Sequence, residues 1–322
     1  MRKLVRSRSV QAAVLLVMAV GAPAAAVAQS PSAQKAVLVT GASSGIGRKI
    51  TELLASKGHY VYAGARSQRD IAELSAIPNV EGIRLDVTVD SEIAAAVETV
   101  EKGGRGLHGL VNNAGVAIIA PLIEVEEKDL DFLFAVNIYG PWRVTKAFAP
   151  LLIESKGRVT HVSSISGILS GPLLGPYSMS KHALEAYGDA LAAELQPFGV
   201  RVSLIEPGNY RSDIGKNVLA RAGDVDEKVE GSRYEPQMRR LFEAMHGYET
   251  GVEPDAVAEA ALHALFDPSP KMRYMVVPSA GQAQATIRKA VMELVELNQD
   301  QPFSYDRETL IKMLDEALAR AR

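Results

Sequence analysis

The chain has 322 residues, 47% of them hydrophobic and 23% charged, which is enough for one large domain and too few for two of ordinary size with linkers. It contains no cysteine, which excludes a disulfide framework, a zinc ribbon and a thiolate nucleophile. Its formal net charge is −3, and the more acidic chain left once the four positive charges of residues 1–28 are removed argues against nucleic acid or an anionic membrane surface as a partner.

Residues 1–28 read as an export leader, a signal peptide. Arg2, Lys3, Arg6 and Arg8 form a basic stretch ahead of the apolar run 10–20, and Ala26-Val27-Ala28 supplies the small residues of a cleavage site, which makes Gln29 the first mature residue. The apolar run is about half of the roughly 20 residues a spanning helix needs. Ser7 separates Arg6 from Arg8, so the adjacent arginine pair of the route that exports folded, cofactor-loaded proteins is absent. Export to the periplasm or beyond is the expectation. The alternatives are a membrane anchor left uncleaved, or a cytoplasmic protein initiated at Met18. Removal of the leader takes away four positive charges and no negative ones, moving the formal charge from −3 to −7.

From Lys35 onward, short β-branched runs alternate with stretches of helical period. AVLVT is followed by IGRKITELLASKG and HYVYAGA, and later by VEGIRLD and HGLVNN; the remaining strands are GRVTHVSS, VRVSLIEP and RYMVVP. Long helices are predicted over 128–154 and 176–195. Such alternation marks βαβ units, and hence an α/β protein with a Rossmann-type, doubly wound parallel sheet in a single domain over 35–278. Within it, the charged insertion 209–250 still carries Ile214, Val218, Leu219, Met238, Leu241, Phe242 and Met245. Two helical segments packed by one face would account for that mixture, as a lid over substrate or as a surface excursion. The C-terminal extension 279–322 has helical spacing over 283–297 and 306–319, with Leu310, Ile311, Met313, Leu314 and Leu318, and is expected to pack on the core or on a partner subunit.

The turn that contains Gly41, Ser43, Ser44, Gly45, Ile46 and Gly47 follows a strand and opens a helix. There glycines let the backbone approach a pyrophosphate, and the helix N-terminus favours its charge. An ordinary tight turn uses the same residue types. One βαβ unit later, the second strand ends in Ala65-Arg66-Ser67, where an NAD site usually places an acidic residue for the ribose hydroxyls. Arg66 can instead pair with a 2′-phosphate and Ser67 can donate to it, so NADP(H) is preferred, with NAD(H) possible. A solvated loop cation is the alternative reading of Arg66.

Tyr177 and Lys181 stand four residues apart on one helical face. A phenol of reference pKa about 10 is a poor base at neutral pH unless its anion is stabilised. The Lys181 ammonium and the helix start at Pro176 both act in that direction. The strand before them delivers Ser164 to the carboxyl end of the sheet, where its hydroxyl can hydrogen-bond a substrate oxygen. Asn137, in a long helical pattern, can hold a water, kink the helix or face solvent. No His or carboxylate group has metal-ligand spacing, so no catalytic metal is expected.

Taken together, these residues resemble the short-chain dehydrogenase/reductase family. The turn from Gly41 to Gly47, Asp86-Val87, Asn112-Asn113-Ala114-Gly115, Ser164, the YxxxK of Tyr177 and Lys181, and Pro207-Gly208 stand in the family's order over about residues 35–278. The resemblance implies Tyr177 as general acid/base and Lys181 as the ligand of the nicotinamide ribose that also lowers the tyrosine pKa. It implies Ser164 as the polariser of the carbonyl and Asn137 as the holder of a water through which Lys181 reaches solvent. Asp86 and Val87 should contact adenine, Asn113, Ala114 and Gly115 should line the adenosine side, and Pro207, Gly208 and Ser212 should meet the nicotinamide amide. Tyr210, where a small aliphatic residue is frequent, and Ser212, in place of the usual Thr, depart from the pattern. The resemblance further implies a homodimer or homotetramer paired through the helices around Asn137 and after Tyr177.

The function expected is an NADP(H)-dependent oxidoreductase that interconverts a ketone or aldehyde with an alcohol by hydride transfer. The apolar runs 116–122 and 165–174 flank the site and suggest a lipophilic substrate, steroid-, retinoid- or acyl-like; core packing explains them equally well. A dinucleotide-binding regulator or scaffold without turnover is the alternative. The intact Ser, Tyr, Lys and Asn set argues against it.

Overall fold

A computed structural model of the chain describes residues 34–320. The leader expected over 1–28 lies outside the described residues. Seven strands form one sheet: β1 (Ala36–Val39), β2 (Tyr60–Ala65), β3 (Val80–Arg84), β4 (Gly109–Asn112), β5 (Arg158–Val162), β6 (Arg201–Pro207) and β7 (Arg273–Val276). Their order is β3-β2-β1-β4-β5-β6-β7, with every neighbouring pair parallel. A parallel sheet is covered on both faces, so its strands read as unbroken apolar runs. β1 is the extreme case: Val37 and Val39 enter one core, Ala36 and Leu38 the other, and all four are fully buried.

The helices are α1 (Gly45–Ser56), α2 (Gln68–Ser75), α3 (Asp90–Lys102), α4 (Glu127–Phe134), α5 (Gly140–Glu154), α6 (Gly175–Leu195), α7 (Ile214–Ala222), α8 (Val225–Val229), α9 (Glu235–Met245), α10 (Asp255–Phe266), α11 (Ala280–Asn298) and α12 (Arg307–Arg320). One face of the sheet packs Ile50 and Leu54 of α1 with Val257, Ala261 and Leu265 of α10. The other packs Val100 of α3 with Val144, Phe148 and Leu152 of α5. Strand order reverses at the seam between β1 and β4, and at such a switch point the strands' carboxyl ends splay into a crevice. The cavity described below opens there.

Three elements differ from the sequence-based expectation. The helix expected over 128–154 is broken by a π-helical turn at Ala135–Tyr139, because the Asn137 side chain leaves the helix to bond the Val116 backbone and the Ser180 hydroxyl. The insertion holds three helices, α7, α8 and α9, where two segments were expected. Gly223, at φ +71°, ends α7, and the Asp224 carboxylate then caps α8 by accepting from the N–H groups of Asp226 and Glu227. Val218, Val229, Met238, Phe242 and Met245 of these helices close on Ile119 and Leu173 as a core of their own. Finally, the C-terminal extension meets the core only at its beginning. Thr286 is the buried residue of α11, and α12 buries none.

Candidate active site

The site begins at the turn after β1. Thr40 Oγ1 accepts from the N–H groups of Asn113 and Ala114, each at 3.0 Å, and the Asn113 side-chain amide donates to the carbonyls of Thr40 and Gly41 at 2.9 and 3.0 Å. These bonds tie the ends of β1 and β4 together across the switch point. Gly41 has φ +63° and Gly45 φ +52°. A Cβ on Gly41 would lie 2.9 Å from the Ala114 Cα, and one on Gly47 would lie 2.3 Å from both Asn113 Nδ2 and the Gly41 carbonyl oxygen. Only glycine fits these positions. Ser44 precedes α1 but makes no side-chain cap bond, and the first turn carries no acidic residue. The opening N–H groups of α1 therefore face the cavity with their positive dipole uncompensated, which suits an anion.

One cavity of about 700 Å³ runs along the carboxyl ends of the strands. Gly41, Ser43, Ser44, Gly45, Ile46 and Gly47 line it, as do Arg66, Asp86, Val87, Asn113, Ala114, Gly115, Ser164, Tyr177, Lys181, Pro207, Gly208 and Ser212. Two expected residues stand outside the wall. Ser67 has its hydroxyl oxygen engaged as the N-cap of α2, accepting from Asp70 N–H at 3.1 Å. Asn137 lies behind the wall, 1% exposed. Both N–H groups of its amide are donated, to the Val116 carbonyl and to Ser180 Oγ, and its Oδ1 accepts from Val116 N–H, all at 2.9 Å. That leaves one lone pair of Oδ1 for a water. Its evident work is to pin the loop after β4 and, through Ser180, whose hydroxyl donates to the Tyr177 carbonyl at 2.7 Å, the first turn of α6.

At the adenosine end, the Asp86 carboxylate accepts from the Thr88 N–H and hydroxyl at 2.9 and 2.6 Å. Burial works to raise its pKa, but the two Thr88 bonds and the neighbouring Arg66 and Arg84 outweigh it and hold the carboxyl below its ordinary value. Arg84 also donates to the Arg66 backbone carbonyl, fixing the turn that carries Arg66.

At the reacting end, Ser164 Oγ accepts from Ser166 N–H at 3.0 Å, which leaves its O–H to donate. Tyr177 sits in the first turn of α6 just after Pro176. Lys181 Nζ lies 5.6 Å from the Tyr177 ring centre and donates to the Val162 carbonyl at 3.0 Å. Burial pushes the Lys181 ammonium down to about 8, against the pull of the Glu185 carboxylate. His161, fully buried beneath, is pushed down to about 3 by burial and by Lys181, so it is neutral through the physiological range. Behind the lysine, Glu185 and Glu206 form a buried carboxyl pair facing Arg273, whose Nε lies 3.1 Å from Glu185 and 3.3 Å from Glu206. Burial and the neighbouring Glu185 raise Glu206 to about 7 against the pull of Arg273.

Sequence reasoning missed the contribution of α11. Gly281, Gln282 and Ala285, in its first two turns, line the cavity, and Gln282 Oε1 accepts from Asn209 N–H at 2.9 Å. The same oxygen occupies the space a Cβ on Gly208 would take, 2.1 Å away. The available signal is Ser279, an N-cap that accepts from Gln282 N–H and starts a helix straight from the end of the last strand. Tyr210, the departure noted in sequence, is 4% exposed and packs into the core with one edge on the cavity.

Residues 35–223 match the family model for short chain dehydrogenase. The chain is 33% identical over 261 residues to the mitochondrial D-beta-hydroxybutyrate dehydrogenase of Rattus norvegicus, covering 74% of this chain and 76% of that one. It is 38% identical over 252 residues to the NADPH-dependent 3-dehydrocapnine reductase of Ornithobacterium rhinotracheale, covering 75% and 87%. The crystal structure of a short-chain dehydrogenase from Streptomyces avermitilis superposes with a TM-score of 0.70 at 29% identity, covering 83% of this chain and 95% of that one. The chain belongs to the short-chain dehydrogenase/reductase family. As a short-chain dehydrogenase/reductase it is an oxidoreductase acting on CH–OH and C=O groups.

The buried lysine has a measurable cost in stability. Its folded pKa of about 8 lies below the roughly 10.4 of an unfolded lysine, so between these values the unfolded chain binds more protons and stability rises with pH. Below pH 8 burying the ammonium costs on the order of 3 kcal/mol. Lys181→Met should therefore raise Tm at pH 7 and flatten the rise in Tm from pH 8 to 10, while turnover falls by about 100-fold or more. A lower Tm at pH 7 would show that the ammonium stabilises the fold.

Proposed function

We propose that this oxidoreductase uses NADP(H) and acts on an uncharged, lipophilic ketone, aldehyde or alcohol. The observation that carries the cofactor half is Arg66 on the cavity wall at the end of β2, with Ala65 and Ser67 on either side and no carboxylate in that turn. The name of the Ornithobacterium relative, an NADPH-dependent reductase, is consistent with it. The cradle fits a dinucleotide, since Gly41 and Gly47 let the turn pack tightly against Ala114 and Asn113 at the cavity wall, and α1 turns its open N–H groups toward the cavity. NAD(H) remains the alternative.

The substrate half rests on charge. The charged residues of the wall are Arg66, Asp86, Lys181 and Asp213. Arg66 and Asp86 stand at the adenosine end, and Lys181 is hydrogen-bonded to Val162. The wall also holds Ile119, Leu169, Leu174, Val218, Leu241 and Met245, with the uncharged Ser166 and Asn217, and no further cation to meet a carboxylate. That argues against a small hydroxy acid such as the one in the rat relative's name, and for a steroid-, retinoid- or acyl-like carbonyl. α7 and α9 supply Val218, Leu241 and Met245, which supports reading 209–250 as a lid.

A nicotinamide cofactor held in this cavity would supply or accept the hydride. Ser164 donates to the substrate oxygen, and Tyr177 gives that oxygen its proton in reduction or takes it in oxidation. Lys181, held by Val162 and one turn from Tyr177, favours the phenolate by its charge. Half-exposed Tyr139, Trp142 and Met179 support pairing of subunits through α5 and α6 as a homodimer or homotetramer.

Tyr177→Phe should abolish turnover and leave NADPH affinity within a fewfold of the parent, measured by initial rates and fluorescence titration; retention of more than about a tenth of the rate would refute the acid/base role. Ala65→Asp with Arg66→Leu should turn the preference toward NADH, read as the ratio of kcat/KM values, and an unchanged ratio would sink the 2′-phosphate assignment. Export is supported by the anatomy of residues 1–28. N-terminal sequencing after cell fractionation should find Gln29 first and outside the inner membrane, whereas a chain starting at Met1 or Met18 in the cytosol would overturn it.

A further inference from the structure

The C-terminal arm, α11 with α12, is built but not covered. Amphipathic helices draw most of their stability from packing the apolar face. Yet beyond Thr286 neither helix buries a residue. On α11 the stripe Ile287, Val291, Leu294 and Val295 follows helical spacing and stands about half exposed. On α12 Leu310, Ile311, Leu314 and Leu318 form a second stripe, spanning roughly 100° of the helix surface. Phe303, 80% exposed, and Tyr305 lie between them.

The arm is nevertheless a defined object. Ser279 caps α11 and Asp306 caps α12, accepting from Thr309 N–H at 2.8 Å. Across the connection, the Asn298 side chain donates to the Tyr305 carbonyl and accepts from the Tyr305 N–H, at 2.9 and 2.8 Å. That two-bond clasp fixes the turn and so presents both stripes at a set angle.

We propose that the arm docks on the same arm of a second copy of this chain, in a two-fold contact separate from any pairing through α5 and α6. Area and charge select that occupant. Leaving aside the less exposed Leu310, nine exposed side chains at about 90 Å² each come to on the order of 800 Å², the size of one side of a stable interface. Each helix also carries balanced charge, Arg288 and Lys289 against Glu293 and Glu296 on α11, and Arg307, Lys312 and Arg320 against Glu308, Asp315 and Glu316 on α12. A helix adapted to an anionic membrane surface would be rich in Lys and Arg. Balanced flanks around an apolar stripe instead complement a copy of themselves, and a two-fold axis brings the same patch to both sides.

The absence of cysteine makes the test clean. Single variants Ile287→Cys, Val291→Cys, Leu294→Cys and Leu314→Cys of the full chain, oxidised at low concentration, should include at least one that runs mainly as a covalent dimer on a non-reducing gel. Glu296→Cys, on the opposite side of α11, should not. Trp142→Glu placed behind the cross-linking variant should leave the cross-link intact, which separates this contact from the α5 and α6 reading. Leu294→Glu with Leu314→Glu should halve the mass by light scattering, with the Tm of the core unchanged. If no stripe variant cross-links, if Glu296→Cys does so equally well, or if the double variant keeps its parent's mass, the proposal is wrong. It is also wrong if the parent protein is monomeric alone and floats with phosphatidylcholine vesicles, since the stripe then belongs to a bilayer.

Discussion

The hydroxyl of Thr40 holds this site open. By accepting from Asn113 and Ala114 it joins the ends of β1 and β4, the two strands between which the sheet changes direction. Everything that binds or reacts is referred to that seam. Asn113 reaches back to brace the glycine turn, so the N-terminus of α1 is aimed by the neighbouring strand as well as by its own loop. Gly115 then brings Asn137 and Lys181 within 4 Å of one point, where a Cβ would lie 3.6 Å from Asn137 Oδ1 and 3.8 Å from Lys181 Nζ. A polar network of this kind is costly if any member is unmatched and rigid when all are matched.

The reacting groups illustrate how a stable fold tolerates an unstable centre. Lys181 is 5% exposed, and its ammonium donates to the Val162 backbone carbonyl. Burial works against its charge, and Glu185, one turn on along α6, works for it. Glu185 is itself restrained by Glu206 and Arg273, so the electrostatics of the catalytic lysine extend to β6 and to the edge strand β7.

How much of this is legible in the sequence depends on the range of the interaction. β1 to β7 are readable because strands covered on both faces are rich in β-branched and other apolar residues, β1 at every position, and the glycine turn, Tyr177 and Lys181 are readable because their spacing is local. The π-turn at Asn137 is not, since nothing within the helix calls for it; the demand comes from Val116 and Ser180, distant in sequence. Ser67 is legible in sequence as a hydroxyl beside Arg66, but not its second task, accepting from Asp70 N–H at the start of α2, which leaves its O–H to donate. Gln282 escapes notice for a related reason. It stands 74 residues beyond Gly208, in a segment that carries no motif, and only the fold places its side chain over that glycine.

That placement gives α11 two ends with different surroundings. Gln282 is one helical turn before Thr286, the buried residue that anchors the helix, and Asn298 is three turns after it. At 1.5 Å per residue the arms on either side of this fulcrum are about 6 and 18 Å long. A rigid tilt about Thr286 that moves Gln282 by 1 Å would sweep Asn298 through about 3 Å, while the same tilt driven from the outer end would reach the cavity reduced threefold. Under such a tilt an adjustment at Gln282 would be magnified at Asn298, and one at Asn298 would be damped at Gln282.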